Sequence, residues 1–323
     1  MRIFPSFAMA VPLLCCALSV QAQEASYPAR PITLVVPAAA GGSNSVIARL
    51  IAEKLQGRLG QSVIVDNKPG ANTSIGTAFV ARSKPDGYTL LISGASTFNV
   101  NPLLYRSLPY KAQDFEYVAY TGQMPLVLMT NPKTGFSTLS DVVAEAKSKP
   151  GILAYASFGN GSMPHLAGEA LAYQAGISLV HVPYKGSAPG MSDLIGNQIP
   201  LSFDTLTAAL PMIKGSKVVP LAVTSSQPSA QLPGTPTVES AGFADYDFYT
   251  WFAIAAPKGT PDAIVKRLGK EVEAVMALPE IKQALLANGI EDVYMKGEAV
   301  LPLIEAQQAR LKNVIERANI KIE

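Results

Sequence analysis

The chain is poor in the residues that most often carry covalent or metal chemistry: two cysteines, two histidines and one tryptophan in 323 residues. Cys15 and Cys16 stand together near the start, inside the segment read below as removable. The rest then has no thiol, which excludes a disulfide framework, a cysteine metal site and a thiol nucleophile there. A chain of this size buries enough apolar surface to fold without such staples. Charge is also scarce: 15% of residues are charged and the net charge is +2. Without a basic block or basic-aromatic interleaving, the sequence lacks the electrostatic footprint of a nucleic-acid binder. Apolar residues make up 48%, which excludes a disordered chain. No Gly-x-Ser-x-Gly elbow and no Gly-x4-Gly-Lys-Ser/Thr phosphate loop occurs, and Gly159-Asn160-Gly161 lacks the third glycine of a dinucleotide fingerprint.

What is present begins with Met1-Arg2, an apolar stretch over residues 3–20, and the small-x-small sequence Val20-Gln21-Ala22. That order predicts a secretory signal peptide over residues 1–22, cleaved near Ala22-Gln23, and hence a periplasmic protein. Pro5 and Pro12 interrupt the stretch, which argues against a membrane span. A lipoprotein anchor is a poor match, because no Gly, Ala or Ser stands before the Cys15-Cys16 pair. No later segment is long and apolar enough to cross a bilayer.

A strand–loop–helix rhythm follows. Strands are predicted over residues 32–36, 63–67 and 88–92, with helices over 45–59 and through Ala81. The rhythm restarts with strands over 126–130, 153–156, 179–182, 201–204 and 219–224, and helices over 139–148, 165–175 and 187–197. Residues 248–256 read as a strand returning the chain to the first block, and residues 262–276, 281–288 and 299–318 as helices. Two βα blocks predict two lobes, 27–122 plus 249–323 and 123–248, each a mostly parallel sheet flanked by helices. Ligands in such sheets sit beyond the strand carboxyl ends, here in the cleft between lobes.

Four loops at those strand ends are rich in Gly, Ser, Thr and Asn. They hold Ala40-Gly41-Gly42-Ser43-Asn44, then Ser93 with Ala95-Ser96-Thr97, then Phe158-Gly159-Asn160-Gly161-Ser162, and then Tyr184-Lys185. Several open directly into helices, whose N-terminal N–H groups and positive dipole ends receive anions. Taken singly each loop also reads as an ordinary cap, and it is their number and shared position that suggest a carboxylate site. His165 and Glu169 stand four apart, a spacing that can share a metal with His181, but a helix-start or pocket-lining histidine is the better reading. No metal or other cofactor is expected. Trp251 reads as core.

The motifs are familiar as a set. They include Asn67-Lys68-Pro69-Gly70-Ala71, Pro85-Asp86-Gly87-Tyr88-Thr89-Leu90 and Asn101-Pro102-x-Leu104-Tyr105. Tyr155-Ala156-Ser157-x-Gly159-Asn160-Gly161-Ser162, His181-Val182-Pro183-Tyr184-Lys185-Gly186-Ser187 and Phe203-Asp204 follow in order. With these the chain resembles the extracytoplasmic solute receptors of tripartite tricarboxylate transporters, the Bug or TctC-like family. The resemblance implies a two-lobed periplasmic binding fold, type II-like, that closes on a small organic carboxylate and hands it to the transporter's membrane subunits. It places His165 and Asp204 with the four loops as ligand-binding candidates. Relatives often read Pro-Phe-x-Ala-Gly-Gly-x-x-Asp in the first loop, whereas here Ala38 replaces the aromatic and Ser45 the acid. Ser45 therefore predicts a di- or tricarboxylate or an aromatic acid in preference to an amino acid. Presentation of the ligand to a sensor kinase and a periplasmic enzyme using His165 and Glu169 are the alternatives. The absence of heptads and of a long apolar helix face predicts a monomer.

Overall fold

A computed structural model describes residues 27–317, 319 and 320. The predicted signal peptide lies outside the described residues. The first block is β1 (Ile32–Val36), α1 (Ser43–Leu59), β2 (Val63–Asn67), α2 (Ser74–Ala81) and β3 (Thr89–Gly94). A π-helical turn, Ser96–Val100, leads into the short α3 (Asn101–Leu104) and then the 16-residue strand β4 (Phe115–Thr130). The second block is α4 (Leu139–Ser148), β5 (Ala154–Ser157), α5 (Met163–Ala175), β6 (Val180–Pro183), α6 (Ser187–Ile195), β7 (Leu201–Thr205), α7 (Leu206–Lys214) and β8 (Val219–Val223). The chain ends with β9 (Tyr249–Pro257), α8 (Asp262–Met276), α9 (Pro279–Ala287), β10 (Met295–Lys296) and α10 (Val300–Arg317).

These strands form one continuous sheet in the order β2-β1-β3-β9-β4-β7-β5-β6, with β10 and β8 also paired to β4. The expectation of mostly parallel sheets needs correction: β1, β2 and β3 are parallel, as are β5, β6 and β7, but every pair involving β4 or β9 is antiparallel. The reason is topological. Within each lobe the helix-linked strands come out parallel, whereas β4 and β9 carry the chain from one lobe to the other and β9 runs back against β4. Alternation along β1 sends Ile32, Leu34 and Val36 to a core shared with Ile47, Ile51 and Val272, and Val35 to the opposite face. A second core under α6 and α7 gathers Val127, Leu194 and Leu210. The largest core, with Phe98, Trp251, Tyr155 and Phe203, runs through both lobes. Each such fully buried Leu, Ile or Phe contributes roughly 1.5–3 kcal/mol.

Strand direction fixes where the loops go. Since β9 is antiparallel to both β3 and β4, β4 runs in the same direction as β1 and β3. β7 is antiparallel to β4, so β5, β6 and β7 run the opposite way. The carboxyl end of β3 at Gly94 is level, through Phe252, with Gly122 of β4. The carboxyl end of β7 at Thr205 is level with Leu126. The loop-bearing ends of the two lobes thus point at each other across residues 122–126 of β4, about 13 Å apart along that strand.

Candidate functional site

In the first lobe, α1 starts at Ser43, so Ser43, Asn44 and Ser45 form its first turn instead of a loop. Gly41 takes a left-handed φ of 89° and Gly42 is the N-cap. The N–H groups of Ser43 and Asn44 have no acceptor within the helix, as the start of any α-helix requires. Ser45 is 1% exposed. Its hydroxyl accepts from Asn67 Nδ2 at 2.6 Å, and the same amide donates to the Ala38 carbonyl at 2.9 Å. Ser45 therefore ties the first loop to the end of β2, and its side chain lies beneath that loop.

The loop after β3 is held from within. Ser93 and Thr97 hydroxyls are 2.5 Å apart and Thr97 Oγ1 donates to Thr73 Oγ1 at 2.7 Å. Ala95 is buried and Ser96, half-buried, opens the π-helical turn. This network draws in Thr73, Asn101 and Tyr110, none of which was predicted as a site residue.

In the second lobe, Gly159 and Gly161 have φ of 121° and 72°, a region open to glycine. Ser162 caps α5, its hydroxyl accepting from the His165 N–H and donating to the Gly159 carbonyl. The Gly161 N–H donates to His165 Nδ1 at 3.1 Å and the Gly159 N–H to Ser157 Oγ at 3.1 Å, so those two amides already have acceptors. Phe158 is half-buried beside them and Asn160 is exposed. Tyr184 donates to Asp193 Oδ2 at 2.7 Å, and Lys185 is exposed next to it. Asp204 is 1% exposed, and burial pushes its pKa up to about 7 against the pull of its hydrogen bonds from the Ser187 hydroxyl and the Thr205 N–H. Across the gap, Asn72 Nδ2 donates to the Gly161 carbonyl at 3.1 Å. Two cavities lie elsewhere, of about 510 Å³ beside Tyr173 and Arg310 and about 680 Å³ beside Phe79 and Arg82.

The two histidines meet face to face, ring centroids 3.9 Å apart. His165 Nδ1 accepts from Gly161, which leaves the ring proton on Nε2, 4.0 Å from Glu169 Oε1. That carboxylate oxygen already accepts from the Tyr155 hydroxyl at 2.7 Å. Burial holds the His165 pKa down to about 4, and burial with the neighbouring His165 holds His181 down to about 3. Among the described residues no group of three His, Cys, Asp or Glu is placed to hold a metal ion.

The histidine burial has a consequence for stability. The unfolded chain protonates His165 near its ordinary value of 6.5, the folded chain near 4. Stability is therefore fully present above pH 6.5 and lost as pH falls through that window, by up to about 3 kcal/mol for this group. His165→Asn keeps an acceptor for Gly161. Its urea midpoint should fall less between pH 7 and 4.5 than that of the wild type, and parallel curves would remove His165 as the cause.

The fold and the opposed strand-end loops define a two-lobed solute-binding protein of the periplasmic type. Residues 47–320 match the family model described as tripartite tricarboxylate transporter family receptor, TctC, and the chain belongs to that family of solute-binding receptors. It is 38% identical over 270 residues to protein BugT of Bordetella pertussis, covering 83% of each chain. It is likewise 38% identical over 268 residues to a UPF0065 protein from the tcbD-tcbE intergenic region of Pseudomonas sp. strain P51, covering 82% of this chain and 80% of that one. Among solved structures, periplasmic binding protein BugD superposes with a TM-score of 0.86 at 33% identity, covering 92% of this chain and all of that one. An R. palustris protein solved with adipate gives 0.88 at 33% identity, over 91% and 99%. MatC from Rhodopseudomonas palustris with bound malate gives 0.82 at 26% identity, over 90% and 100%. No described helix is long and apolar enough to cross a membrane.

Proposed function

We propose that this receptor captures a small organic carboxylate without an amino group, a di- or tricarboxylate or an aromatic acid, and delivers it in the periplasm to the membrane subunits of a tripartite tricarboxylate transporter. The observation that carries this reading is the opposed polarity of the two βα sets about residues 122–126 of β4. It turns the first turns of α1 and α5 toward one gap, where unpaired N–H groups and dipole ends favour an anion. The only acid among the candidate residues is Asp204, which is buried and already hydrogen-bonded. A ligand ammonium would therefore find no free carboxylate partner there. This argument stands without Ser45, whose hydroxyl is occupied by Asn67. The adipate and malate of the two relatives, dicarboxylates without an amine, point the same way. We take the lobes as 27–122 plus 249–323 and 123–248, supported by the change of β4 partner from β9 at Pro125 to β7 at Leu126.

A thermal-shift panel tests the reading. Adipate, malate, succinate, citrate and benzoate are compared with aspartate and glutamate. A ligand at about a hundred times its dissociation constant stabilises the fold by roughly 2.7 kcal/mol, a rise of about 4 °C at this size. Shifts are expected with one or more of the five acids and with neither amino acid. A response to aspartate or glutamate alone would overturn the ligand class.

A further inference from the structure

The hydrogen bond from Asn72 to Gly161 joins the lobes at a place where no chain crosses between them. Other inter-lobe bonds lie beside the crossing strands. Thr207 Oγ1 donates to the Asn288 carbonyl, close to the bridge between Glu291 and Gln123 of β4, and Arg310 pairs with Asp247 two residues before β9. Contacts of that kind move little when two lobes rotate about their connecting strands. A contact between opposed loops is made only when the gap is closed.

Asn72 is also unusually well aimed. Ala71, Asn72 and Thr73 are three successive non-glycine residues at positive φ, 44°, 44° and 74°. Such a run is strained, most of all at the β-branched Thr73, and persists because its surroundings over-determine it. Thr97 holds the Thr73 hydroxyl, and the fully buried Asn101 donates to the Asn72 carbonyl at 2.7 Å. Asn101 Oδ1 in turn accepts one Asn72 Nδ2 hydrogen at 2.7 Å, which leaves the other for Gly161. On the far side the Gly161 N–H is fixed by His165. Both partners are thus set before they meet, so little freedom is lost when the bond forms.

We propose that Asn72 is the closure latch of this receptor: its carboxamide, aimed by Asn101, engages the Gly161 carbonyl across the gap and sets how long the lobes stay together on a ligand. It is a positioning residue acting through the Gly159–Ser162 loop. Its effect on ligand residence rests on the receptor reading above, but its effect on lobe separation does not.

Asn72→Gly removes the side chain and keeps the backbone, since glycine accepts positive φ. Asn72→Asp sets an acceptor against the Gly161 carbonyl and Asn101 Oδ1. Both should melt within about 3 °C of the wild type. Spin labels at Gln56→Cys and Gln198→Cys, with Cys15 and Cys16 changed to serine, report the distance between lobes without ligand. The distribution should move to longer distances in Asn72→Gly and further in Asn72→Asp. For whichever of adipate, malate, succinate or citrate the wild type binds, dissociation should quicken by about tenfold while association changes by less than about threefold. Unchanged distances in both variants would overturn the latch, as would a collapse of melting temperature in both, which marks Asn72 as a fold determinant. If distances shift but the wild type binds neither these four acids nor benzoate, the latch stands and the ligand reading falls.

Discussion

Gly94→Ala is expected to destabilise the protein by more than about 4 kcal/mol, lowering its melting temperature by about 6 °C or more. A Cβ built on Gly94 lies 1.5 Å from the Trp251 carbonyl oxygen and 2.7 Å from its carbonyl carbon. Backbone is the obstacle, so no rotamer change relieves it. Trp251 cannot retreat: it is wholly buried, its ring stacks on Phe98 and Tyr120, and its Nε1–H donates to Gln307 and Asn99. Movement of β9 would also pull on Gly122, which pairs with Phe252 on the other side. Gly57→Ala is the control. It lies in α1 with nothing within 4 Å of the added methyl, so the same change should stabilise by about 0.5–1 kcal/mol through helix propensity. Thermal unfolding of the three proteins checks both signs. A Gly94→Ala protein that melts like the wild type would mean that β3 and β9 are not packed this closely.

The same crossing shows which parts of the fold were legible in the sequence. β1, β2, α4 and α8 occupy the predicted residues. Their signals are local: alternation in β1, and for α4 a capping box in which Thr138 accepts from the Asp141 N–H while Asp141 accepts from Thr138. Only the last five residues of β4 were predicted. Its first part contains Gly122 and ends on Pro125, which read locally as breakers, and 16 residues exceeds the usual length of a strand. The strand is long because its first part pairs with β9 and its last part with β7 and β8, a fact with no local signature. α7 was missed for a similar reason, since Pro211 stands inside it.

The candidate site was legible as loops and not as contacts. Glycine and serine at strand ends mark where the backbone turns, and the left-handed φ of Gly41, Gly159 and Gly161 agrees with that. Nothing local says which amides stay free. The Gly161 N–H is given to His165, and Ser45 turns inward to Asn67. Asn72 is not among the residues singled out from the sequence, because its partner Gly161 lies 89 positions away. His165 reads in the sequence as a helix-start or pocket-lining histidine, but nothing local says that its ring stacks on His181 or that one of its nitrogens holds a backbone amide.

Gly161→Pro is expected to abolish carboxylate binding, weakening it by more than about a hundredfold, on the proposed reading of the site. The native φ is 72°, and proline is confined near −65°, so the peptide before residue 161 must turn over. The N–H given to His165 Nδ1 is lost in the same step, leaving a buried imidazole nitrogen without its donor. The turn from Gly159 to Ser162, closed by the Ser162 N–H on the Gly159 carbonyl, can no longer present the first turn of α5 at the same place. Gly161→Ala separates strain from the missing donor. It keeps the N–H at a left-handed cost of about 1–2 kcal/mol that falls on the free and bound forms alike, so it should melt lower than the wild type while binding far more tightly than Gly161→Pro. Lys133→Ala, on an exposed turn at the far end of β4, should bind as the wild type does. Calorimetric titration with adipate or malate reads all three, with circular dichroism confirming that each variant is folded. Equal affinity in wild type and Gly161→Pro would take the 159–162 loop out of the ligand site and leave the first-lobe turn at Gly42 as its anion-holding end.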